Sequence, residues 1–312
     1  MKTTKFFTTM LAAMALTACS NEETINEGAT NDRVALQVTS GIQTRAIGST
    51  WQKDDAIGIY MLKAGGTVIA ENATNKRYTT DAESNAFKAE DYETIYFPVD
   101  GSDVDFIAYY PQQTLTDGSM TINVSSQTSL PKIDLMTAKV QSADSKKYNK
   151  SQPNVAFNFS HKLTKIELNI AYGTGLTAKD LEGLTVEITN QRTKASYTPL
   201  TETLTLNTDQ TPQAVTFNTA ENGMTAEAIL LPNSEVFNPQ IANRQLVFTL
   251  KNPGVDGKTE VFRWSIIDEK DFKAGERNIY NITINRTGLT VTATIEDWNP
   301  GNGLNGEGGS AE

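Results

Sequence analysis

The chain has 312 residues, a formal net charge of −10, one cysteine and one histidine. A lone cysteine excludes an intramolecular disulfide and a thiolate metal cluster, and a lone imidazole offers a catalytic zinc site too few ligands. The acidic balance disfavours nucleic acid and anionic lipid surfaces as partners.

At the amino terminus Lys2 and Lys5 precede Phe6 to Ala18, a run of 13 mostly apolar residues. As a helix that run would span about 20 Å, short of the roughly 30 Å hydrocarbon core. Residues 1–18 therefore read as a signal peptide and not as a membrane anchor. The run ends Leu16-Thr17-Ala18-Cys19, which resembles the lipobox of exported bacterial lipoproteins. Small residues before the cut fit a narrow protease site, and the Cys19 thiol is the atom that would receive the lipid. An ordinary secretory signal with a chance cysteine is the alternative; against it, the only cysteine in the chain stands where lipidation needs it. Residues 19–33 are polar and aperiodic and read as a tether. Without residues 1–18 the chain loses two lysines, so its charge becomes −10 − 2 = −12.

From Val34 onward, period two dominates. Val34, Leu36 and Val38 alternate with Ala35 and Gln37, and Ile166-Leu168-Ile170-Tyr172 repeats the pattern. So do Leu184-Val186-Ile188, Leu246-Phe248-Leu250, Tyr280-Ile282-Ile284 and Leu289-Val291-Ala293-Ile295. Alternation means one buried and one solvated face, which predicts an all-β fold of antiparallel sheets packed as sandwiches. Short helices are expected at Thr177–Asp180, an N-cap with an acid three residues on, and more weakly at Asp134–Val140. The polar stretch Gln141 to Pro153 suggests a boundary between two domains, 34–150 and 151–298. Residues 299–312 carry five glycines and no strand pattern, and read as a flexible tail.

Little in the sequence suggests catalysis. His161 lies in strand-like surroundings and no Gly-x-Ser-x-Gly elbow is present. Asp54-Asp55, Asp103 with Asp105, and Glu296-Asp297 could serve acid–base chemistry, but each sits beside turn or strand-end signals where acids commonly cap. No metal-binding, phosphate-binding or dinucleotide motif appears, so no cofactor is expected. Trp51, Trp264 and Trp298 lie in strand-like runs and read as core.

Several stretches together resemble the fimbrillin family of Bacteroidales, the Mfa-like and FimA-like pilins. They are the lipobox at Cys19; Thr44-Arg45-Ala46 followed by Trp51 to Met61; Asp105 to Pro111; Phe157 to Ile166 with its Phe-x-His-Lys-Leu pattern; and Gly288 through Trp298. The resemblance implies two tandem transthyretin-like β-sandwich domains and no catalytic residue. It implies a structural pilin subunit of surface fimbriae, used in adhesion or biofilm formation, delivered to the outer membrane on its lipid. A trypsin-like maturation protease would cut between Arg45 and Ala46, removing the strand that carries Val34, Leu36 and Val38. A strand from another subunit would then fill the groove, with Leu289, Val291, Ala293 and Ile295 a candidate donor. Gly-rich residues 299–312 depart from the extended segment expected beyond the final tryptophan of a stalk pilin, which leaves stalk, tip and anchor positions open. A monomeric surface lipoprotein that binds glycan is the alternative, and an exposed aromatic platform would favour it.

Overall fold

The computed structural model describes residues 33–42, 50–81, 85–232, 244–251, 258–266 and 272–298. Residues 1–18, Cys19, most of the tether, Arg45, Ala46 and the tail 299–312 lie outside the described residues. The described chain is almost entirely β, as the alternation predicts.

The first sheet contains β1 (Gln37–Ile42), β2 (Ala56–Lys63), β3 (Lys76–Thr80), β4 (Ala86–Lys88) and β5 (Val104–Tyr110). Then β6 (Met120–Asn123) leaves it for another sheet, and β7 (Met136–Val140) and β8 (Asn154–His161) return. The strand order β1-β4-β3-β2-β5-β7-β8 closes on itself as a barrel. Inward side chains alternate, as period two requires: Ile57, Ile59 and Met61 on β2 and Phe106, Ala108 and Tyr110 on β5 fill the barrel core. The residues between them are buried as well. Tyr60, Leu62, Ile107 and Tyr109 point outward into a third apolar cluster that covers this side of the barrel.

The rest comprises β9 (Thr164–Tyr172), β10 (Thr185–Gln191), β11 (Lys194–Thr198), β12 (Thr203–Leu206), β13 (Gln213–Thr216) and β14 (Asn218–Thr219). It continues with β15 (Thr225–Leu230), β16 (Gln245–Leu250), β17 (Glu260–Ser265), β18 (Glu276–Asn285) and β19 (Gly288–Asp297). Sheets β13-β10-β16-β17 and β14-β15-β9-β18-β19 enclose a second core. A small sheet, β12-β11-β6, joins the barrel half to this half.

One expectation changes. Asp134–Val140 is not helical: one helical turn, Leu130–Ile133, precedes it, and Met136–Val140 is β7. Four of the five β7 side chains are buried, so its period of two is hidden. Pro153 is followed at once by β8, which pairs with β7 and β1 in the barrel. The barrel sheet ends with β8 at His161, and β9 opens the second half at Thr164. The turn at Thr177 does form, as a single 3-10 turn over Ala178–Leu181 with the Thr177–Asp180 capping box.

Candidate functional site

Strand β1 closes the barrel. On one side it runs parallel to β8 over six residue pairs, from Gln37 with Asn154 to Ile42 with Phe159. On the other it pairs antiparallel with β4 at Val38–Phe87 and Thr39–Ala86. The chain before it is also held: the Leu36 N–H donates to the Ile95 carbonyl at 2.9 Å, and the Phe97 N–H to the Val34 carbonyl at 3.0 Å. Leu36 and Val38 are buried in the barrel core and Val34 packs against it half-buried. All three sequence-predicted side chains therefore lie on one inward face.

The same face continues to Ser40, which the sequence gives no reason to single out. Ser40 is 3% exposed, yet its Oγ has no hydrogen-bond partner among the described residues. A buried hydroxyl without a partner costs about 1–3 kcal/mol. The orphaned hydroxyl is a missing partner, which the alternation of residues does not record.

At the other end, β19 is an edge strand. It pairs along ten residues with β18 and, among the described residues, has no strand on its far side. Leu289 and Val291 pack partly against the second core, Ala293 is exposed, and Ile295 is 41% exposed. β19 contains no lysine or proline to discourage pairing at its open edge. Charge anchors it to its neighbour. Lys165 on β9 bridges Glu167 and Glu227, each at 2.9 Å, and Arg277 on β18 joins Glu167 to Glu296 on β19. Burial pulls the Lys165 ammonium down, but the hydrogen bonds to both carboxylates prevail and leave its pKa raised.

A second anchor follows β19. Trp298 is 6% exposed and belongs to the third cluster, together with Tyr60 and Tyr109 of the barrel. Its ring stacks on His161 at 3.7 Å between centroids and 8° between planes. His161 Nδ1 lies 3.0 Å from Asp134 Oδ1, so with the carboxylate as acceptor Nδ1 carries the proton. His161 is thus a packed, paired histidine at the end of β8. The buried pair lies against Trp298 and presents no open face to a substrate.

The carboxylates singled out from sequence also hold structure. Asp55 accepts from the Gln52 N–H at 2.7 Å and the Tyr110 hydroxyl at 3.0 Å, fixing the turn before β2. Asp105 accepts from the Gly65 and Ser142 N–H groups, each at 2.8 Å. Asp103 is bound by Asn149 at 2.8 Å and Lys147 at 3.2 Å. Trp51 is in the barrel core and Trp264 is partly buried against the second core. Among the described residues, no group of three His, Cys, Asp or Glu could hold a metal ion, and no helix is long and apolar enough to cross a membrane.

This frame recurs in known proteins. The chain is 42% identical, over the full length of both, to a Bacteroides uniformis protein named as a candidate fimbrium subunit, Fim1C. A crystal structure of a candidate cell adhesion protein from Bacteroides uniformis, 42% identical, superposes with a TM-score of 0.73 over 86% of this chain and 100% of that one. Another, from Bacteroides ovatus, shares the fold at 22% identity with a TM-score of 0.64, over 85% of this chain and 98% of that one. The model of the fimbrillin-like family matches residues 44–298, from beside the barrel-closing strand to the buried tryptophan, and the chain belongs to that family.

Proposed function

We propose that this chain is a structural subunit of surface fimbriae that assembles by exchange of β1 for a strand of another subunit, and that serves adhesion or biofilm formation. The observation that carries the proposal is the position of β1. It is bonded on both sides, it closes the barrel, and Arg45-Ala46 follow three residues after it in the sequence. A lipid on Cys19 would deliver the precursor to the outer membrane, and a trypsin-like protease would cut after Arg45. Loss of Val34, Leu36 and Val38 would open a groove flanked by the unpaired edges of β4 and β8, ready for β-augmentation by another pilin subunit. In this scheme the chain works as two units, divided between His161 and Thr164. The lipid would leave with the discarded strand.

Burial of Leu36 and Val38 is worth about 1.5–3 kcal/mol each, so their loss removes about 3–6 kcal/mol before any backbone bond is counted. That is a large part of the about 5–15 kcal/mol by which a domain is stable, so an emptied groove would favour refilling. Glycan binding by a monomer finds less support. Tyr92 and Tyr172 are exposed, but they lie on separate elements and no ring contact joins them among the described residues. The test is limited proteolysis of the purified precursor followed by electron microscopy. First cleavage after Arg45, loss of residues 19–45 and appearance of filaments are expected, and Arg45→Gln should abolish all three. Initial cutting elsewhere, or a cut product that stays monomeric, would refute the proposal.

A further inference from the structure

Three loops on the outside of the barrel line a cleft of about 680 Å3. One joins β2 to β3, one joins β5 to β6, and the third, residues 198–201, joins β11 to β12. The first two belong to the barrel half and the third to the other half, so the cleft spans both. We propose that this cleft binds a neutral mono- or disaccharide, which gives the subunit a sugar site of its own. None of the lining residues belongs to β1 or β19, so the site is independent of strand exchange. Nor does it need the exposed aromatic platform that a glycan-binding surface would use.

Size and lining chemistry select the ligand. The volume falls within the about 300–1,000 Å3 of small-molecule sites. Half-buried Ile69, Leu115 and Leu200 supply an apolar wall that suits the C–H face of a pyranose ring. Sugar hydroxyls both donate and accept, and the lining offers both roles. Tyr60, Thr74 and Thr114 bring hydroxyls, Gln112 an amide, and Glu93 and Asp117 carboxylates that accept charge-assisted bonds. Burial pushes the Tyr60 phenol up, so its hydroxyl keeps its proton and remains a donor. No lysine or arginine lines the cleft, which disfavours phosphate, sulfate and carboxylate ligands. Lys76 pairs with Glu93 at 3.9 Å and offsets part of the negative charge that would otherwise select an amine.

The cleft is also preformed. The Tyr109 hydroxyl donates to Asn75 Oδ1 at 2.6 Å. The Gln113 carbonyl accepts from Asn75 Nδ2 at 3.0 Å and from Gln112 Nε2 at 3.3 Å, which joins the first two loops. The Ser119 and Thr198 hydroxyls, 2.7 Å apart, join the second loop to the third. Gly58 makes room for this network, since a Cβ there would stand 2.6 Å from Asn75 Oδ1. Walls fixed in this way leave less to be ordered on binding.

The test titrates the full chain with lactose, cellobiose, maltose and di-N-acetylchitobiose, read by saturation-transfer NMR and calorimetry. Putrescine and inorganic phosphate serve as charged probes. At least one disaccharide should bind with a Kd of about 0.1–5 mM, and neither charged probe should compete with it. Thr201→Trp puts an indole into the cleft from an exposed position and should weaken binding by about 10-fold or more at an unchanged melting temperature. Thr114→Trp, from the opposite loop, should do the same and serves if the first variant does not fold. Asp117→Asn removes one charged acceptor and should weaken binding by about 3- to 10-fold. No saturation transfer to any of the four disaccharides at about 20 mM overturns the site. Binding of putrescine or phosphate in their place overturns the ligand class. Sugar binding that both tryptophan variants leave unchanged overturns the location.

Discussion

Replacing Trp298 by alanine should loosen the end of the chain before anything else. The ring is buried, stacked on His161 at 3.7 Å, and seated in a cluster shared with the barrel, whereas the side chains of Thr292 to Glu296 on β19 are exposed. Truncating a buried tryptophan to alanine costs about 3–5 kcal/mol. For a chain of this size, at about 2–4 °C per kcal/mol, the melting temperature should fall by about 6–20 °C. The loss should also be local. With the ring gone, β19 retains its pairing with β18 and the Arg277–Glu296 contact but, among the described residues, nothing that anchors it in a core at its far end. Hydrogen exchange should therefore show lost protection first at Ile295 and Glu296 and their partners Asn278 and Arg277, with Ile284 and its neighbours following later. Trp298→Phe should recover most of the stability by keeping a ring on the imidazole. A Trp298→Ala protein within about 1 kcal/mol of the parent, with unchanged β19 amides, would show that the strand is held by its backbone ladder and that the stack is incidental.

Other outcomes follow from close contacts and buried phenols. Gly58→Ala should destabilise by about 1–3 kcal/mol in urea titrations, because a Cβ there would stand 2.3 Å from the Tyr109 ring, which is itself bonded through its hydroxyl to Asn75 at 2.6 Å. Burial pushes the phenols of Tyr78, Tyr109 and Tyr280 up to about 12. Their folded values lie above the ordinary 10, so the stability they confer is intact below about pH 10 and is lost as pH rises from there through about 12. Each group accounts for about 2–3 kcal/mol across that window. Tyrosinate absorbance should thus rise together with loss of circular dichroism. Full ionisation of these phenols with the fold intact would refute the assignment.

The alternation in the sequence revealed strands with one wet face, such as β9, β10, β18 and β19. It was silent where both faces are dry. β5 is buried at all seven positions, and β2 at six of eight, because the third cluster covers the outside of the barrel where solvent was expected. No local period distinguishes such a strand from a buried helix, and β7 was misread for the same reason. The inward face of β1 was visible at Val34, Leu36 and Val38, while the defect at Ser40 is a missing partner, which no pattern of residues records. The His161–Asp134–Trp298 stack joins positions far apart in the chain. The sequence showed one histidine and a tryptophan at position 298, but not that they meet.

The small sheet shared by the two halves has a mechanical consequence. β6 and β11 form four consecutive antiparallel rungs, and the third cluster lies beside them. If the subunit assembles by strand exchange as proposed, a load that passes from the barrel to the second half meets this junction. It must break those rungs and wet that cluster together. On the strand-exchange proposal each protomer would then behave as a stiff link, and a fibre built from such links would bend and extend at the joints between them.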